Sequence, residues 1–490
     1  MYIVAVDLGA ESGRVVLGHY DNGKLDLEVT HRFKNTSVAL SGRLYWDAPN
    51  LFYNILTGLR LAVQKCGENK ILSVGIDTWG VDFAVLDSRG QMIYLPIHYR
   101  DSYTDGISEE IAGIIGEKQL FNRTGLAVWP FNTINQLYAL KKEKSMAFYS
   151  GKTLLFTPDL FNYWLCGVKA NEKSIASTSQ CLDISGDSFA DDLLEDLGLR
   201  SSLFAEIVNT GTVLGNISAE IKREIGVDYN IKVIATACHD TAAAVVATPF
   251  DDPRNSAFLS CGTWSLIGIE REEPILSEQA RLANFTHERG IDDTYRILKN
   301  VMGLWIVQQA KISFERRGFD FSYEELSKMA TQGKMFKSII DPNDLRFYAP
   351  DDMIDAVMSY CGDTGQDIPK TPEDIMCTIL MSLACAYRAA IENIEDMTNS
   401  KIESLHIIGG GSQNEILCQW TANLLDRKVT AGPVEGTAAG NILVQMKSLG
   451  IVKDTAELRE IVKRSSDIIE YKKNGELDKG YKKFKKVLSS

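Results

Sequence analysis

The chain opens on a run of apolar positions broken by small and polar ones. "YIVAVDLGAESGRVVLGHYDNGKLDLEVTHRF" reads as a strand, a turn rich in small residues, a second strand, a hairpin turn and a third strand. Asn22-Gly23 between two apolar runs is a strong signal for a two-residue hairpin. In "WDAPNLFYNILTGLRLAV" the period changes: Leu51, Ile55, Leu59 and Val63 recur near helical spacing, with Pro49 near the start. "ILSVGIDTWGVDFAVLDSRGQ" returns to strands, with a polar turn at Asp87 to Gly90. Residues 107 to 185 mix helical stretches with turns.

The charged segment "DDPRN", with Pro253, marks a boundary near residues 246 to 255. Beyond it the opening pattern is echoed, because "SAFLSCGTWSLIGIE" is again strand, small-residue turn and strand. No close sequence repeat accompanies the likeness, and a duplicated topology would explain it. "TPEDIMCTILMSLACAYRAAIENIEDM" predicts a long helix with Thr371 and Asp374 as a capping-box pair and Pro372 at its first position. Ile375, Ile379, Leu383 and Ile394 supply its apolar stripe. "ESLHIIGGGSQNEILCQWTANLL" reads as a buried strand, a triple-glycine turn and a helix. The Lys-rich end, "YKKNGELDKGYKKFKK", reads as a solvated helix face.

A length of 490 residues exceeds what one core usually serves, so two large domains are expected. The formal charge of −13 argues against nucleic acid or an anionic membrane as partner. It leaves room for an anionic small substrate, since backbone N–H groups or a metal ion override net charge locally. Nine cysteines, without a C-x-x-C or a Cys/His cluster at zinc spacing, fit reduced thiols packed as small apolar groups. No leader precedes the first strand and no apolar run reaches membrane-spanning length. A cytoplasmic setting is expected.

Candidate chemistry gathers at the turns. In "DLGAESGR", small residues at Gly9, Ala10, Ser12 and Gly13 would let backbone N–H groups approach an anion. Asp7, at the end of a buried strand, is suited to hold a divalent cation directly or through water. The segment is neither a Walker A loop, lacking Gly-Lys-Ser/Thr, nor a dinucleotide fingerprint, since a strand follows it. Taken alone it is as well read as a hairpin turn. Ser260 to Trp264 repeats the geometry in the second half, where Thr263 offers a hydroxyl to a phosphate. Gly409 to Gly411 would admit a flat base or ribose, or make a close strand–helix turn.

"VIATACHDTAAAV" places Asp240 between an apolar strand and a row of alanines. The carboxylate there is either an N-cap or a general base. Trp79 and Phe83 alternate with Gly80 and Asp82, so one face of that strand is pocket lining or plain core. Asp82 either bonds a substrate hydroxyl or satisfies nearby backbone. Arg100 with Asp101 reads as a structural ion pair.

The blocks "VAVDLGAESGRV", "GIDTWGVDFAVLD", "LPIHYRD", "HDTAAAV", "LSCGTWSL", "YRILKNVMGLW" and "LHIIGGGSQN…VTAGPVEGTAAGNI" span nearly the whole chain. Together they resemble the FGGY family of carbohydrate kinases, within the actin/hexokinase-like fold. "PFNTINQL" stands where many relatives carry a Lys-x-Trp element, and Glu11 where many carry a small polar residue. The resemblance implies a two-domain α/β, ribonuclease H-like architecture with an interdomain cleft. It implies an N-terminal domain over 1–247 with the sugar site, phosphate loop and base, and a C-terminal nucleotide-binding domain over 248–490. It implies transfer of the ATP γ-phosphate, with magnesium, to the 1-hydroxyl of a ketose: L-rhamnulose first, L-fuculose or L-xylulose as alternatives. A non-catalytic nucleotide-dependent sugar sensor is the alternative from another class, and an intact Asp240 speaks against it.

Residue by residue, the resemblance makes Asp240 the catalytic base, flanked by His239 and Thr241 at the sugar. Gly80 and Asn300 are further sugar contacts. Ala10, Glu11, Ser12, Gly13 and Arg14, with Thr263, Gln308 and Gly409, Gly410 and Gly411, hold ATP, and Asp7 helps place Mg2+. The Glu11 side chain is expected to face away from the phosphates. The implied partners are a small-molecule sugar and ATP, with no nucleic acid, membrane or obligate protein partner.

Overall fold

The computed structural model describes residues 1–488, which fold into two compact units. The first comprises Met1–Pro249, Glu270–Ile297 and Gly436–Ser465; the second comprises Phe250–Ile269, Leu298–Glu435 and the residues from Ser466.

In the first unit, β1 (Tyr2–Leu8), β2 (Ser12–Asp21) and β3 (Lys24–Lys34) form an antiparallel meander. Asn22 and Gly23 turn the second hairpin with φ of 48° and 80°, the left-handed pair that a type I′ turn needs. α1 (Ala48–Cys66) begins at Asp47, whose side chain accepts from Asn50 N, with proline in its first turn. β4 (Ile71–Thr78) pairs parallel to β1. β5 (Thr212–Asn216) and β6 (Lys232–Ala235) complete the order β5-β6-β4-β1-β2-β3. Six of the seven residues of β1 are buried, as expected of a strand covered on both faces.

The covers can be named. A Cβ at Gly58 of α1 would meet Val15, and one at Gly18 would meet Ile442 of the helix Gly436–Ser448. Val15 and Gly18 lie three residues apart on β2, so the two helices pack on opposite faces. α2 (Asp240–Val246) follows β6 and is buried throughout after its first residue.

The second unit repeats the plan. β7 (Ser256–Cys261) and β8 (Ser265–Arg271) form a hairpin, and β9 (Tyr295–Val301) lies beyond it. The helix α3 (Pro372–Thr398) precedes β10 (Ser404–Ile408), and α4 (Glu415–Leu425) precedes β11 (Lys428–Ala431) and β12 (Ile469–Tyr471). The sheet runs β9-β8-β7-β10-β11-β12, with a seventh strand, Thr286–Arg289, beyond β9. From β8 to β12 its pairings are antiparallel, parallel, parallel and antiparallel, as from β2 to β5 in the first sheet. The duplicated topology expected from the echoed strand–turn–strand pattern is present.

α3 makes only half of its expected capping box. The Thr371 side chain accepts from Asp374 N, while the Asp374 carboxylate accepts from Lys334 N at 3.0 Å. Asp is one methylene shorter than the Glu or Gln that reaches back in a capping box. A stretch of α3 is also long and apolar enough to cross a membrane, which corrects the expectation that no such run exists. It is 83% buried inside the protein and serves as core. All nine cysteines are free. The Lys-rich last helix, Asp478–Leu488, buries only Tyr481 and Phe484.

Candidate active site

In the first unit the ends of β1, β4 and β6 bring three carboxylates together. Asp7 pairs in register with Arg14 on β2 and with Asp77 on β4. Its Oδ2 accepts from Arg14 Nε at 2.8 Å and Nη2 at 2.6 Å. Asp77 is fully buried, its Oδ2 accepting from Asn441 Nδ2 at 2.6 Å and its Oδ1 lacking a partner. Burial, then the charge of Asp7, pushes the Asp77 carboxyl well above the usual range; Asn441 opposes this, and Asp240 adds to it.

The turn between β1 and β2 is held from outside. Gly9 N donates to Ser12 O, Asn35 Nδ2 to Gly9 O, and Asn35 N to Glu11 O, each at 2.9 Å. Gly13 is glycine for packing, since a Cβ would stand 2.4 Å from the Phe33 ring. Burial raises the Glu11 carboxyl, and Arg100 is the cation acting on it. Asp101, expected to pair with Arg100, pairs instead with Arg43 at 3.2 Å and accepts from Leu44 N at 2.6 Å.

Asp240 is not an N-cap. His239 holds that position, without a side-chain capping bond, and Asp240 is the first helical residue. Its Oδ1 accepts from Thr241 Oγ1 at 3.1 Å. The side chain keeps 29% of its exposure, whereas Thr241 to Val246 are buried. Burial raises its pKa, His239 opposes this, and Asp7 adds to it. The turn before it is braced by Glu172, which accepts from Cys238 N at 3.3 Å, and by Ser174 Oγ, which accepts from His239 N at 3.2 Å. On the far side of His239 stand Glu288 and the fully buried Arg296. Burial alone would raise the Glu288 carboxyl; Arg296 and His239 outweigh it and hold the group below the usual range.

Gly80 approaches Thr178, which a Cβ would meet at 3.2 Å. The next residue, Val81, has a φ of 69°, strained for a β-branched side chain. Its N–H donates to Thr178 Oγ1 at 3.0 Å and its carbonyl accepts from Thr133 Oγ1 at 2.6 Å. Asp82 accepts four hydrogen bonds, three on Oδ2 from Trp46 Nε1 at 2.6 Å, Trp79 Nε1 at 2.9 Å and Tyr99 N at 3.3 Å, and one on Oδ1 from Gln136 Nε2 at 3.0 Å. Of its two readings, the structural one stands.

In the second unit, the carbonyls of Gly262 and Thr263 accept from Leu304 N and Trp305 N, each at 3.0 Å. They thereby seat the helix Trp305–Arg316, which carries Gln308. Asn300 Oδ1 and Gln308 Oε1 are both buried and without a hydrogen-bond partner, unusual for native polar atoms. The triple glycine does not open a helix directly. Gly409 has a φ of 84°, Gly410–Gln413 form a 3-10 turn, and α4 starts after Asn414. A Cβ at Gly411 would meet Cys261 Sγ at 2.1 Å, and one at Gly410 would meet nothing within 4 Å.

Over this framework, residues 2–247 match the N-terminal domain and residues 257–449 the C-terminal domain of the FGGY family of carbohydrate kinases. The chain belongs to that family. The Rhamnulokinase of Oceanobacillus iheyensis is 41% identical over 96% of this chain and 98% of its own length. That of Bacteroides thetaiotaomicron is 39% identical over 95% of each, and that of Bacillus subtilis 37% over 96% and 94%. Two solved structures share the fold at a TM-score of 0.79, a gluconate kinase (16% identical) and a xylulose kinase (17%) from Lactobacillus acidophilus. Each is covered to 96% and covers 100% of this chain.

This FGGY kinase is a phosphotransferase that uses ATP with Mg2+. The first unit offers a donor set of the right chemistry for the ion: hard carboxylate oxygens on adjacent strands, one of them the orphaned Asp77 Oδ1. No cluster of three or more His, Cys, Asp or Glu side chains suited to a metal occurs among the described residues. Asp77, Glu172, Asn441, Glu288 and Arg296 were not singled out as site residues from the sequence. Of these, Asp77, Asn441 and Arg296 lie in blocks that carried the family resemblance ("GIDTWGVDF", "EGTAAGNI" and "YRILKN"), whereas Glu172 and Glu288 do not.

Proposed function

We propose that the enzyme transfers the γ-phosphoryl group of ATP to the 1-hydroxyl of L-rhamnulose, giving L-rhamnulose 1-phosphate and ADP. The observation that carries this reading is the match over nearly the whole chain to several relatives all named Rhamnulokinase.

Asp240 takes the proton from the 1-hydroxyl as its oxygen attacks the γ-phosphorus. The new O–P bond forms while the bond to the β-phosphate oxygen breaks. Partial exposure supports this role, and burial of the surroundings favours a carboxylate that accepts a proton. His239, Thr241, Gly80 and Asn300 hold the sugar; the strained Val81 beside Gly80 and the orphaned Asn300 Oδ1 support that assignment. The turn Ala10 to Arg14, with Thr263, Gln308 and Gly409–Gly411, holds ATP, and Gln308 Oε1 awaits a donor. Asp7 holds magnesium directly or through water. When bound, the ion offsets phosphate charge as the leaving group departs. Residues 1–247 carry the base, the phosphate loop and the sugar contacts other than Asn300, and residues 248–490 carry Asn300 and the remaining nucleotide contacts. The enzyme acts in the cytoplasm on small molecules, without nucleic acid, membrane or obligate protein partner.

The test is a coupled assay of ADP release across rhamnulose, fuculose, xylulose and ribulose. L-Rhamnulose is expected to give the highest kcat/KM. A higher value for another ketose would reassign the substrate, and ATP hydrolysis indifferent to every sugar would overturn the kinase reading.

A further inference from the structure

His239 sits between two carboxylates and one cation, and what its ring donates depends on which of them it answers to. Nε2 lies 3.4 Å from Asp240 Oδ1. On the other side, Nδ1 lies 3.0 Å from Glu288 Oε2 and 3.2 Å from Arg296 Nη2. Arg296 is itself tied down: its Nη1 is 2.9 Å from Glu288 Oε2 and its Nε donates to Arg289 O at 3.1 Å. Its side chain is fully buried, that of Glu288 is 6% exposed and that of His239 7%.

A neutral imidazole has one N–H, and two arrangements compete. If Nδ1 carried it, Glu288 would accept, the Nε2 lone pair would face the Asp240 carboxylate, and Arg296 would point an N–H at an N–H. If Nε2 carries it, Asp240 is the acceptor and Nδ1 accepts from Arg296; the Nδ1 lone pair then also faces Glu288 Oε2 at 3.0 Å, and Arg296 Nη1, 2.9 Å from the same oxygen, offsets that repulsion. The geometry distinguishes them. The contact from Arg296 Nη2 to Nδ1 meets hydrogen-bond geometry, and a guanidinium can only donate. Glu288 Oε2, with Arg296 Nη1 at 2.9 Å and His239 Nδ1 at 3.0 Å, and Asp240 Oδ1, at 3.4 Å from Nε2, stand at ion-pair distance, whereas the contact from Arg296 Nη2 to the ring is also a directed hydrogen bond. Glu288 holds Arg296 by charge, and Arg296 supplies the donor that Nδ1 accepts. The remaining charges around the ring are Glu172, beneath the Cys238 turn, and Asp77 and Asp7, which act on Asp240.

We propose that Arg296, anchored by Glu288, is a positioning residue for the base: it holds His239 in the Nε2–H tautomer, so that the ring presents an N–H to the carboxylate of Asp240. The sugar's proton then goes to a carboxylate already oriented and partly neutralised by that N–H. The proposal deepens, and rests on, the reading of Asp240 as base.

Two measurements test it. The first needs no substitution. Imidazole 15N shifts of the whole enzyme, with His239 assigned by comparison with His239→Gln, should show a protonated Nε2 and an unprotonated Nδ1. A protonated Nδ1 beside an unprotonated Nε2 overturns the proposal. The second is steady-state kinetics of Arg296→Met, with the milder Arg296→Lys and Glu288→Gln in case the first does not fold. Loss of the Nη2 donor should lower kcat roughly 10- to 100-fold, part of the ~10²–10⁴ that a positioned base supplies, with both KM values within about threefold. The Nε2–H signature should be lost in the same variants. Unchanged kcat, or KM shifts alone, would overturn it. Asp240→Asn separates the two claims: if that variant stays active the base assignment fails, while the tautomer result stands or falls by its own spectrum.

Discussion

Gly440 lies so close to Ala243 that a Cβ at 440 would stand 1.8 Å from the Ala243 carbonyl oxygen. This explains the row of alanines after Asp240. Their smallness admits the helix Gly436–Ser448 against α2, and that helix also delivers Asn441 to Asp77. The backbone that carries the base is positioned by this crossing.

Gly440→Ala therefore should separate the two helices or prevent folding. Overpacking of this kind costs about 1–3 kcal/mol or more. A urea midpoint equal to that of the parent would contradict the packing account.

The glycines at 410 and 411 should behave oppositely. Gly410→Ala meets open space and should leave stability within about 0.5 kcal/mol while raising KM for ATP. Gly411→Ala drives into Cys261 Sγ and should be destabilising. Adding Cys261→Ala should restore part of that loss, because the clashing sulfur is gone, and such coupling is what a double-mutant cycle isolates. Additive effects would place the strain elsewhere.

Removing the carboxylate at 240 should remove chemistry and little else. Asp240→Asn keeps the size and the Thr241 contact, so kcat should fall ~10²–10⁴-fold with ATP affinity by calorimetry nearly unchanged. Retained turnover would strip the residue of its assigned role.

Asp82 should make stability depend on pH. Burial pushes it up to about 7, against hydrogen bonds from Trp46, Gln136, Trp79 and Tyr99. An unfolded Asp ionises near ~4, so between about 4 and 7 the folded state keeps a proton that the unfolded state has released. The contribution of Asp82 is full below that window and is lost as pH rises through the folded value. His98 and His287, whose pKa values burial lowers to about 3 and about 4, act in the other direction as pH falls. The difference between parent and Asp82→Asn isolates the carboxyl. The parent's unfolding free energy, followed by Trp fluorescence, should fall relative to the variant's between pH 5 and 7.5, by at most about 4 kcal/mol. Parallel profiles would show that Asp82 is ionised in the folded state throughout.

Much of this protein was legible in one dimension. Strand, hairpin and helix patterns are local: Asn22-Gly23 can make few other turns, and Thr371 with Pro372 begins a helix wherever it lies. Repetition of a strand–turn–strand pattern was enough to expect two similar sheets, and Asp240 stood out because a carboxylate after a buried strand is costly without a use.

What tertiary structure alone decided is which distant side chains meet. Whether Asp101 answers Arg100 or Arg43, and whether Asp82 faces a ligand or two indoles, depends on how segments tens of residues apart cross. Hydrogen bonding and ion pairing fall off within a few ångströms, so proximity along the chain does not predict them. Nothing local in the sequence singles out Glu288 or Arg296; only the fold buries them and turns them toward His239.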